Sequence, residues 1–418
     1  VGVLAARPVD APTVVVPSAA TAGPALNCYA LAADTTGTGA AVLAALARLA
    51  RLVVDTLSPA GLHVVGITGS SGKTSTKDMV AALLAPLGAT VAPPGSFNNE
   101  VGHPWTALRA DERTRHLVLE LSARGPGHVA ALCAVAPPSI GVVLNVGSAH
   151  LGEFGSREAV AGAKGELVEA LSAGGIAVLN ADDAAVSAMS ARTAARVVRF
   201  GIAADSDVHG VDIVLDAGGC ARFRLCSPAG EALVRLSVPG AHQVGNALAA
   251  AAVALELDAT PAGVADVLAG YRPASRWRME VAERPDGVTV VNDAYNANPE
   301  SVRAALQTLV AMAGEGRRSW AVLGPVSELG AAETAAHEEI GRLATGLDVD
   351  RLVVVGEQAR AMHRAAGQEA VLVPDVQAAL TLLRAELRSG DVVLVKASRA
   401  HRLERVADGL LAGEGGGG

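Results

Sequence analysis

From His63 onward the chain alternates short apolar runs with longer stretches of helical period. The apolar runs fall at 63–67, 89–92, 117–121, 140–145, 176–180 and 196–200, with Ala-rich segments between several of them. Continuous apolar runs bounded by turn residues read as strands buried on both faces. Their alternation with helices predicts a parallel α/β sheet covered on both sides. Residues 208–238 switch to alternating apolar and polar positions, with Gly218-Gly219 and Pro228-Ala229-Gly230 placed as hairpin turns. PGAHQVGNALAAAAVALEL then reads as a helix, and a second helix is expected over about 261–269.

A second, smaller doubly wound sheet is predicted downstream, with strands at 288–292, 319–323, 351–355, 370–373 and 391–395. Tyr271-Arg272-Pro273 reads as the linker between the two units. Upstream, Val1 to Ala5 and Thr13 to Val16 read as short strands and Asp34 to Leu57 as an Ala/Leu helix. Two strands and one helix bury little core. Either they pack on the next unit or the beginning of a domain lies upstream. The expected division is 1–60, 61–272 and 273–418, in keeping with a chain of 418 residues, too long for one core.

Composition narrows the function. Aromatic residues make up only 2% of the chain, so Leu, Val and Ala must fill the cores. The net charge of −8 argues against a nucleic-acid partner held on a broad basic face. Cys28, Cys133, Cys220 and Cys226 form no CxxC pair and suit buried thiols in a reducing compartment. No signal peptide is visible. The apolar helical runs Ala40 to Val54 and Ala247 to Leu257 are too short to span a bilayer, and Arg48 and Arg51 break the first. A cytoplasmic monomer without membrane insertion is expected. The tail Gly415 to Gly418 is expected to be disordered.

The densest chemistry lies in VVGITGSSGKTSTKDM, Val64 to Met79. An apolar strand, a glycine and serine turn, Lys73-Thr74 and a helix form the layout of a phosphate cradle. Backbone N–H groups of Gly69, Ser70, Ser71 and Gly72 converge on anionic oxygens, and the helix N-terminus adds partial positive charge. Lys73 would reach β- and γ-phosphates and the Thr74 hydroxyl a magnesium ion. The glycine spacing departs from the common P-loop, so an ordinary strand–helix turn is the competing reading.

Other candidates sit at predicted strand ends, where ligands gather in open α/β sheets. Glu120 closes HLVLEL, and a lone carboxylate in an apolar strand is costly unless paired or metal-bound. His150 follows IGVVLN, and as a residue by itself it is equally a loop histidine without a role. Lys164 lies in AGAKGELVEAL, where a solvated helix lysine is the plainer reading. In VVNDAYNANPES, Asn298 fits an N-cap, Pro299 the first helical position and Glu300 the positive helix end. That leaves Asn292, Asp293, Tyr295 and Asn296 as unexplained polar groups at a strand's carboxyl end.

Taken in order, GITGSSGKTSTKD, FNNEVGHP, NVGSAHLGEFGS, AKGELVEAL, NADD, PGAHQVGNALAAAA, NDAYNANPES, ELG and KASR resemble the Mur ligases of peptidoglycan synthesis, from about residue 60 to 411. The Mur-type loop T-G-x-x-G-K-T accounts for the glycine spacing. NDAYNANP is most like the members that join D-Ala-D-Ala to UDP-MurNAc-tripeptide. The resemblance implies three domains: one for the UDP-sugar, a central ATPase, and a C-terminal Rossmann-like domain that closes over the site. Residues 1–57 would be the last part of the first. It also implies ATP-dependent amide ligation through an acyl phosphate, with ATP and Mg²⁺ required.

Carried over by motif, the loop residues Gly69 to Thr74 with Ser75 hold ATP. Thr74 and Glu120 bind its magnesium, and His150 and Lys164, the latter carbamylated in relatives, hold a second ion. Arg276, Asn292, Asp293 and Asn296 meet ATP from the C-terminal domain. Asn98, Asn99, Ser122 and Arg124 line the UDP-muramyl substrate, while Lys396, Ser398 and Arg399 lie on the substrate side of the C-terminal domain. The sequence departs from the family at Pro325 and Val326 in GPVSELG, at Ala397 in the KGSR-like motif, and at the bulkier Ala400-His401-Arg402. The family's N-terminal domain is expected to extend upstream of Val1, which would weaken nucleotide-sugar binding; a normal Michaelis constant for the UDP substrate would contradict this.

Three alternatives stand beside this. One is a related ligase, either the diaminopimelate-adding Mur type or a folylpolyglutamate synthetase, against which NDAYNANP and FNNE argue. Another is a protein that binds ATP without ligating. A dehydrogenase is disfavoured because no convincing GxGxxG is present.

Overall fold

A computed structural model describes residues 3–5, 13–15, 38–147 and 151–412. His150, Cys28 and the tail Gly415 to Gly418 therefore lie outside the described residues. The first strand pair, β1 (Val3–Ala5) and β2 (Thr13–Val15), is parallel, and α1 (Thr38–Leu57) follows.

The central unit is built on β3 (His63–Thr68), β4 (Ala89–Val91), β5 (Thr114–Glu120), β6 (Ile140–Val143), β7 (Ile176–Asn180) and β8 (Arg196–Gly201). These are parallel, in the order β8-β7-β6-β3-β5-β4. The sheet continues through β9 (Val208–Leu215), β10 (Cys220–Ser227) and β11 (Gly230–Pro239), which meander antiparallel. Both expected hairpin turns lie between these strands. Val64 to Thr68 of β3 are all buried, because helices cover both faces of the strand. One face packs against α2 (Lys73–Leu84), α8 (Gln243–Leu255) and α9 (Pro261–Ala269). The alanines of α8 are buried together, and their small side chains let α2 and α8 approach closely. The other face packs against α1, α4 (His128–Val135) and α6 (Arg157–Glu169). Within this unit α3 (Gly102–Ala107), α5 (Leu151–Phe154) and α7 (Ala184–Ser187) are short.

The second sheet contains β12 (Glu280–Glu283), β13 (Thr289–Asn292), β14 (Ser319–Leu323), β15 (Arg351–Val355), β16 (Ala370–Val373) and β17 (Val392–Lys396). Its order is β12-β13-β17-β14-β15-β16, parallel except for β12. The sequence pattern does not predict β12, whose four residues, Glu-Val-Ala-Glu, show neither an apolar run nor strand alternation and are mostly exposed. The helices are α10 (Pro299–Ala313), α11 (Glu333–Gly346), α12 (Arg360–Ala366), α13 (Val376–Glu386) and α14 (Glu404–Leu411). Asn298 caps α10 in a reciprocal box with Ser301, with Pro299 in the first turn, as expected. The mixed α/β class with two helix-covered sheets is as the pattern predicts.

His103 on α3 is completely buried, and burial lowers its pKa from 6.5 to about 4. The unfolded chain therefore binds more protons than the native state below about pH 6.5, and stability falls as pH drops from there towards 4. Thermal melts across this window should show His103→Leu losing less stability on acidification than the wild type. Parallel curves would refute the assignment.

Candidate active site

The carboxyl ends of β3, β5 and β6 and the first loop of the second sheet enclose a cleft of about 960 Å³. Its floor is the turn between β3 and α2. Asn145, just past β6, accepts hydrogen bonds at its Oδ1 from the Ser70 and Ser71 amides, at 3.0 and 2.9 Å. Its Nδ2 donates to the Ser71 carbonyl at 3.1 Å. The Gly147 amide donates to Ser70 Oγ at 2.8 Å. These contacts fix the turn so that the first-turn N–H groups of α2, which lack intrahelical acceptors, stand at the cleft. Gly72 has φ +82°, and a Cβ there would collide with Asn246 Oδ1, so the turn needs glycine on two counts.

At the head of α2, Lys73 donates to the Gly69 carbonyl at 2.6 Å. Burial lowers its pKa and Arg278 adds to this, while Glu120 opposes. Thr74 Oγ1 donates to Glu120 Oε2 at 2.9 Å and meets Ser96 Oγ at 2.5 Å. Asn98 Nδ2 donates to Glu120 Oε1 at 2.8 Å, and Ser122 Oγ donates to the Asn98 carbonyl at 2.9 Å. Glu120 is thus buried but engaged at both oxygens. Lys164 is only 4% exposed on α6, not solvated. Burial, reinforced by Lys73, holds its pKa well below the usual lysine value.

From the opposite wall, Arg278 Nη2 donates to both Thr74 Oγ1 and Ser96 Oγ at 3.0 Å. Its guanidinium lies 4.1 Å from the Tyr295 ring centroid. Lys396 donates to the Asn296 carbonyl at 3.0 Å and pairs with Asp293. Burial lowers the Lys396 pKa against the pull of that carboxylate. Asn298 Nδ2 reaches the Ser70 carbonyl at 3.3 Å, joining the second sheet to the phosphate turn.

Of the residues expected from sequence, Ser70, Ser71, Gly72, Lys73, Thr74, Ser75, Asn98, Glu120, Ser122, Arg124, Asp293, Asn296 and Lys396 line the cleft. Gly69 is buried and does not line it, and its carbonyl accepts from Lys73. Asn99 is exposed and its Oδ1 accepts from the Val101 and Gly102 amides. Asn292 is buried and accepts from the Ala294 amide. Arg276 is exposed, 5.3 Å from the Trp277 ring centroid; Arg278, two residues on, occupies the cleft. Arg399 also covers Trp277, at 4.4 Å, and pairs with Glu404.

Ser398 Oγ accepts from the Ser327 amide, and Ser327 Oγ meets His401 Nε2 at 3.2 Å. The Pro325 carbonyl accepts from the Ser398 amide. A Cβ on Gly324 would stand 2.8 Å from that of Ala397, so glycine at 324 makes room for alanine at 397. The unusual residues of both loops therefore fit one another. Sequence reasoning missed Arg278, Ser96, Asn145, Arg157, His242 and Asn246, all of which line the cleft. For Arg278 the signal is its place in RWRMEV, two residues beyond Arg276.

The cleft suits a nucleoside triphosphate through the helix N-terminus and two cations that face one another, whereas the Ser70 and Ser71 amides, expected to meet the anion, are taken by Asn145. It suits a hard cation too, because Thr74 and Glu120 supply adjacent oxygens. Among the described residues no group of three or more His, Cys, Asp or Glu stands ready to hold a metal. Phosphate oxygens and water would have to complete such a shell.

Fold and cleft together define a nucleotide-dependent α/β enzyme. Residues 67–254 match the Mur ligase middle domain, and residues 277–399 match the Mur ligase glutamate ligase domain. The chain is 56% identical to the UDP-N-acetylmuramoyl-tripeptide–D-alanyl-D-alanine ligase of Mycobacterium tuberculosis H37Rv, across 98% of this chain and 84% of that protein. It is 37% identical to the ligase of the same name from Escherichia coli K12, across 83% of this chain and 76% of that one. The structure of MurF ligase from Thermotoga maritima in complex with ADP aligns with a TM-score of 0.82 and 30% identity, covering 98% of this chain and 88% of that one. MurF from Acinetobacter baumannii aligns with a TM-score of 0.83 and 28% identity, covering 98% and 84%. The chain belongs to the Mur ligase family.

Arg278→Ala should lower kcat by roughly 10²-fold and Arg276→Ala by less than about threefold, in line with loss of one charged donor to a developing anion. Steady-state kinetics with the order reversed would restore Arg276. For Lys164, the depressed native pKa means the unfolded chain binds more protons, so the lysine costs stability at neutral pH and less as pH rises towards its ordinary 10.5. Lys164→Met should therefore raise Tm near neutrality in CO₂-free buffer, with the gain shrinking at higher pH. A gain independent of pH would contradict a lowered native pKa.

Proposed function

We propose that this chain joins D-Ala-D-Ala to UDP-MurNAc-tripeptide with hydrolysis of ATP to ADP and phosphate. The observation that carries the proposal is the convergence of Lys73, Thr74, Glu120 and Arg278 at the phosphate turn, in a chain 56% identical to ligases of that name. The γ-phosphoryl group passes to the terminal carboxylate of the tripeptide, giving an acyl phosphate and ADP. The free amine of D-Ala-D-Ala attacks the activated carbonyl, loses a proton, and phosphate departs as the amide forms.

The chain's residues serve this chemistry electrostatically. Lys73, Arg278 and the first-turn amides of α2 neutralise the phosphate oxygens between which charge redistributes. Thr74 and Glu120 would hold Mg²⁺, which supplies Lewis-acid charge neutralisation when bound. Burial shifts Lys164 towards the uncharged amine, the form that combines with CO₂ to give a carbamate, and with His150 it would hold a second ion. Arg124, exposed on the cleft wall, suits an anionic group of the muramyl peptide. Asp293, Asn296 and Lys396 would bring the second sheet to the nucleotide and dipeptide.

Residues 1–60 are read as part of the UDP-sugar domain, 61–272 as the ATP-binding domain and 273–418 as the C-terminal ligase domain. No described helix is long and apolar enough to cross a membrane, which accords with a cytoplasmic enzyme; action as a monomer is part of the proposal.

Phosphate release from Mg-ATP should require both UDP-MurNAc-tripeptide and D-Ala-D-Ala, and Lys73→Ala should abolish it. Release with glutamate or diaminopimelate as amine donor, but not with D-Ala-D-Ala, would redirect the assignment to a related ligase.

A further inference from the structure

One turn beyond the phosphate-binding residues, α2 carries a second pair of charges that the cleft does not contain. Lys77 is fully buried and Asp78 is 5% exposed, and the two form an ion pair. A buried ion pair stabilises a fold little better than apolar groups of the same volume, so its presence asks for another explanation. Its partners supply one. Lys77 Nζ donates to the carbonyls of Pro93 and Gly95 at 2.8 and 3.2 Å, and to Ser275 Oγ at 3.2 Å. Asp78 Oδ2 accepts from the Ser275 amide at 3.0 Å.

Each anchored segment leads directly to the cleft. Gly95 precedes Ser96, and three residues after Ser275 comes Arg278, whose Nη2 bonds both Ser96 and Thr74. The backbone around Arg278 is strained. Trp277 has φ +60° and Met279 φ +51°, left-handed conformations that non-glycine residues adopt only when their surroundings enforce them. Enforcement comes from Asp78 on Ser275, Glu280 on the Trp277 amide and Asp293 on the Met279 amide.

We propose that the buried Lys77–Asp78 pair is a positioning unit for the ligase reaction, aiming Arg278, with Ser96 as its second acceptor, at the Thr74 end of the phosphate site. The pair touches no reacting atom. It links the helix that carries Lys73 and Thr74 to the segment that brings Arg278 from the second sheet. The catalytic part of this inference rests on the ligase reading above; the ordering of the two segments does not.

The test compares the full chain with K77M/D78L, which removes both charges together and leaves neither unpaired. Backbone hydrogen exchange over residues 93–98 and 272–280 should accelerate by about tenfold or more, with β3 unchanged, because local anchoring is lost without global unfolding. In phosphate release, kcat should fall about tenfold while ADP affinity changes less than about threefold. In an Arg278→Ala background the same pair of changes should cost less than about a further twofold, the non-additivity expected of groups acting through one another. Wild-type exchange and kcat in the folded variant would overturn the proposal, as would an equal loss in both backgrounds. Should K77M/D78L fail to fold, Ser275→Ala removes only the hydroxyl that accepts from Lys77. A kcat loss of about threefold is then expected, absent in the Arg278→Ala background, and no loss would overturn the proposal. A wild-type protein that releases no phosphate would refute the ligase reading, while the exchange measurement would still decide the ordering claim.

Discussion

The structure depends on the grip of Asn145 on the turn between β3 and α2. A turn that presents several N–H groups in one direction cannot satisfy them internally, and without an outside partner it would relax. Asn145, projecting from the end of the neighbouring strand β6, takes the Ser70 and Ser71 amides and returns a hydrogen bond to Ser71. The turn is thereby fixed to the residues after β6 by this carboxamide, by the Asn145 carbonyl and by the Gly147 amide on Ser70 Oγ. The amides that follow, in the first turn of α2, are left for an anion. Gly72 completes the arrangement, because its left-handed backbone and missing Cβ let the turn pass beneath Asn246.

The second sheet reaches this turn through a few long side chains. Arg278 crosses to Thr74 and Ser96, Asn298 crosses to the Ser70 carbonyl, and Ser275 is held by Lys77 and Asp78. These are polar contacts of moderate length, unlike the apolar packing inside each sheet. Such an interface specifies orientation more than it supplies adhesion. The charges meet in a partly buried setting, where desolvation lowers the pKa values of Lys73, Lys164 and Lys396 together. Of these, Lys396 already has Asp293 as its counter-charge, and a polyphosphate would supply one to Lys73.

Much of this was legible in the sequence because it is local. The apolar strand before GSSGKT, the Asn298-Pro299 start of α10 and the hairpin turns after β9 each follow from a few adjacent residues. What escaped is non-local. Nothing near Lys164 in the sequence announces that packing will bury it. Arg276 and Arg278 differ in role because left-handed residues at Trp277 and Met279 turn one side chain outward and the other into the cleft. Asn99 resembled a substrate contact, yet its carboxamide accepts from the backbone at the start of α3. Strand β12 escaped because it is four residues, Glu-Val-Ala-Glu, at a sheet edge, without the apolar run or alternation that marks a buried strand.

The central claim is that the turn after β3, closed by Arg278 from the second sheet, is the polyphosphate site. A crystal structure of the chain with ADP and Mg²⁺ tests it most directly. The β-phosphate is expected against the first-turn amides of α2 within hydrogen-bond distance of Lys73, with the ion on Thr74 and Arg278 facing the same oxygens. A diphosphate bound away from this turn, or approached by Arg276 with Arg278 turned outward, would contradict it.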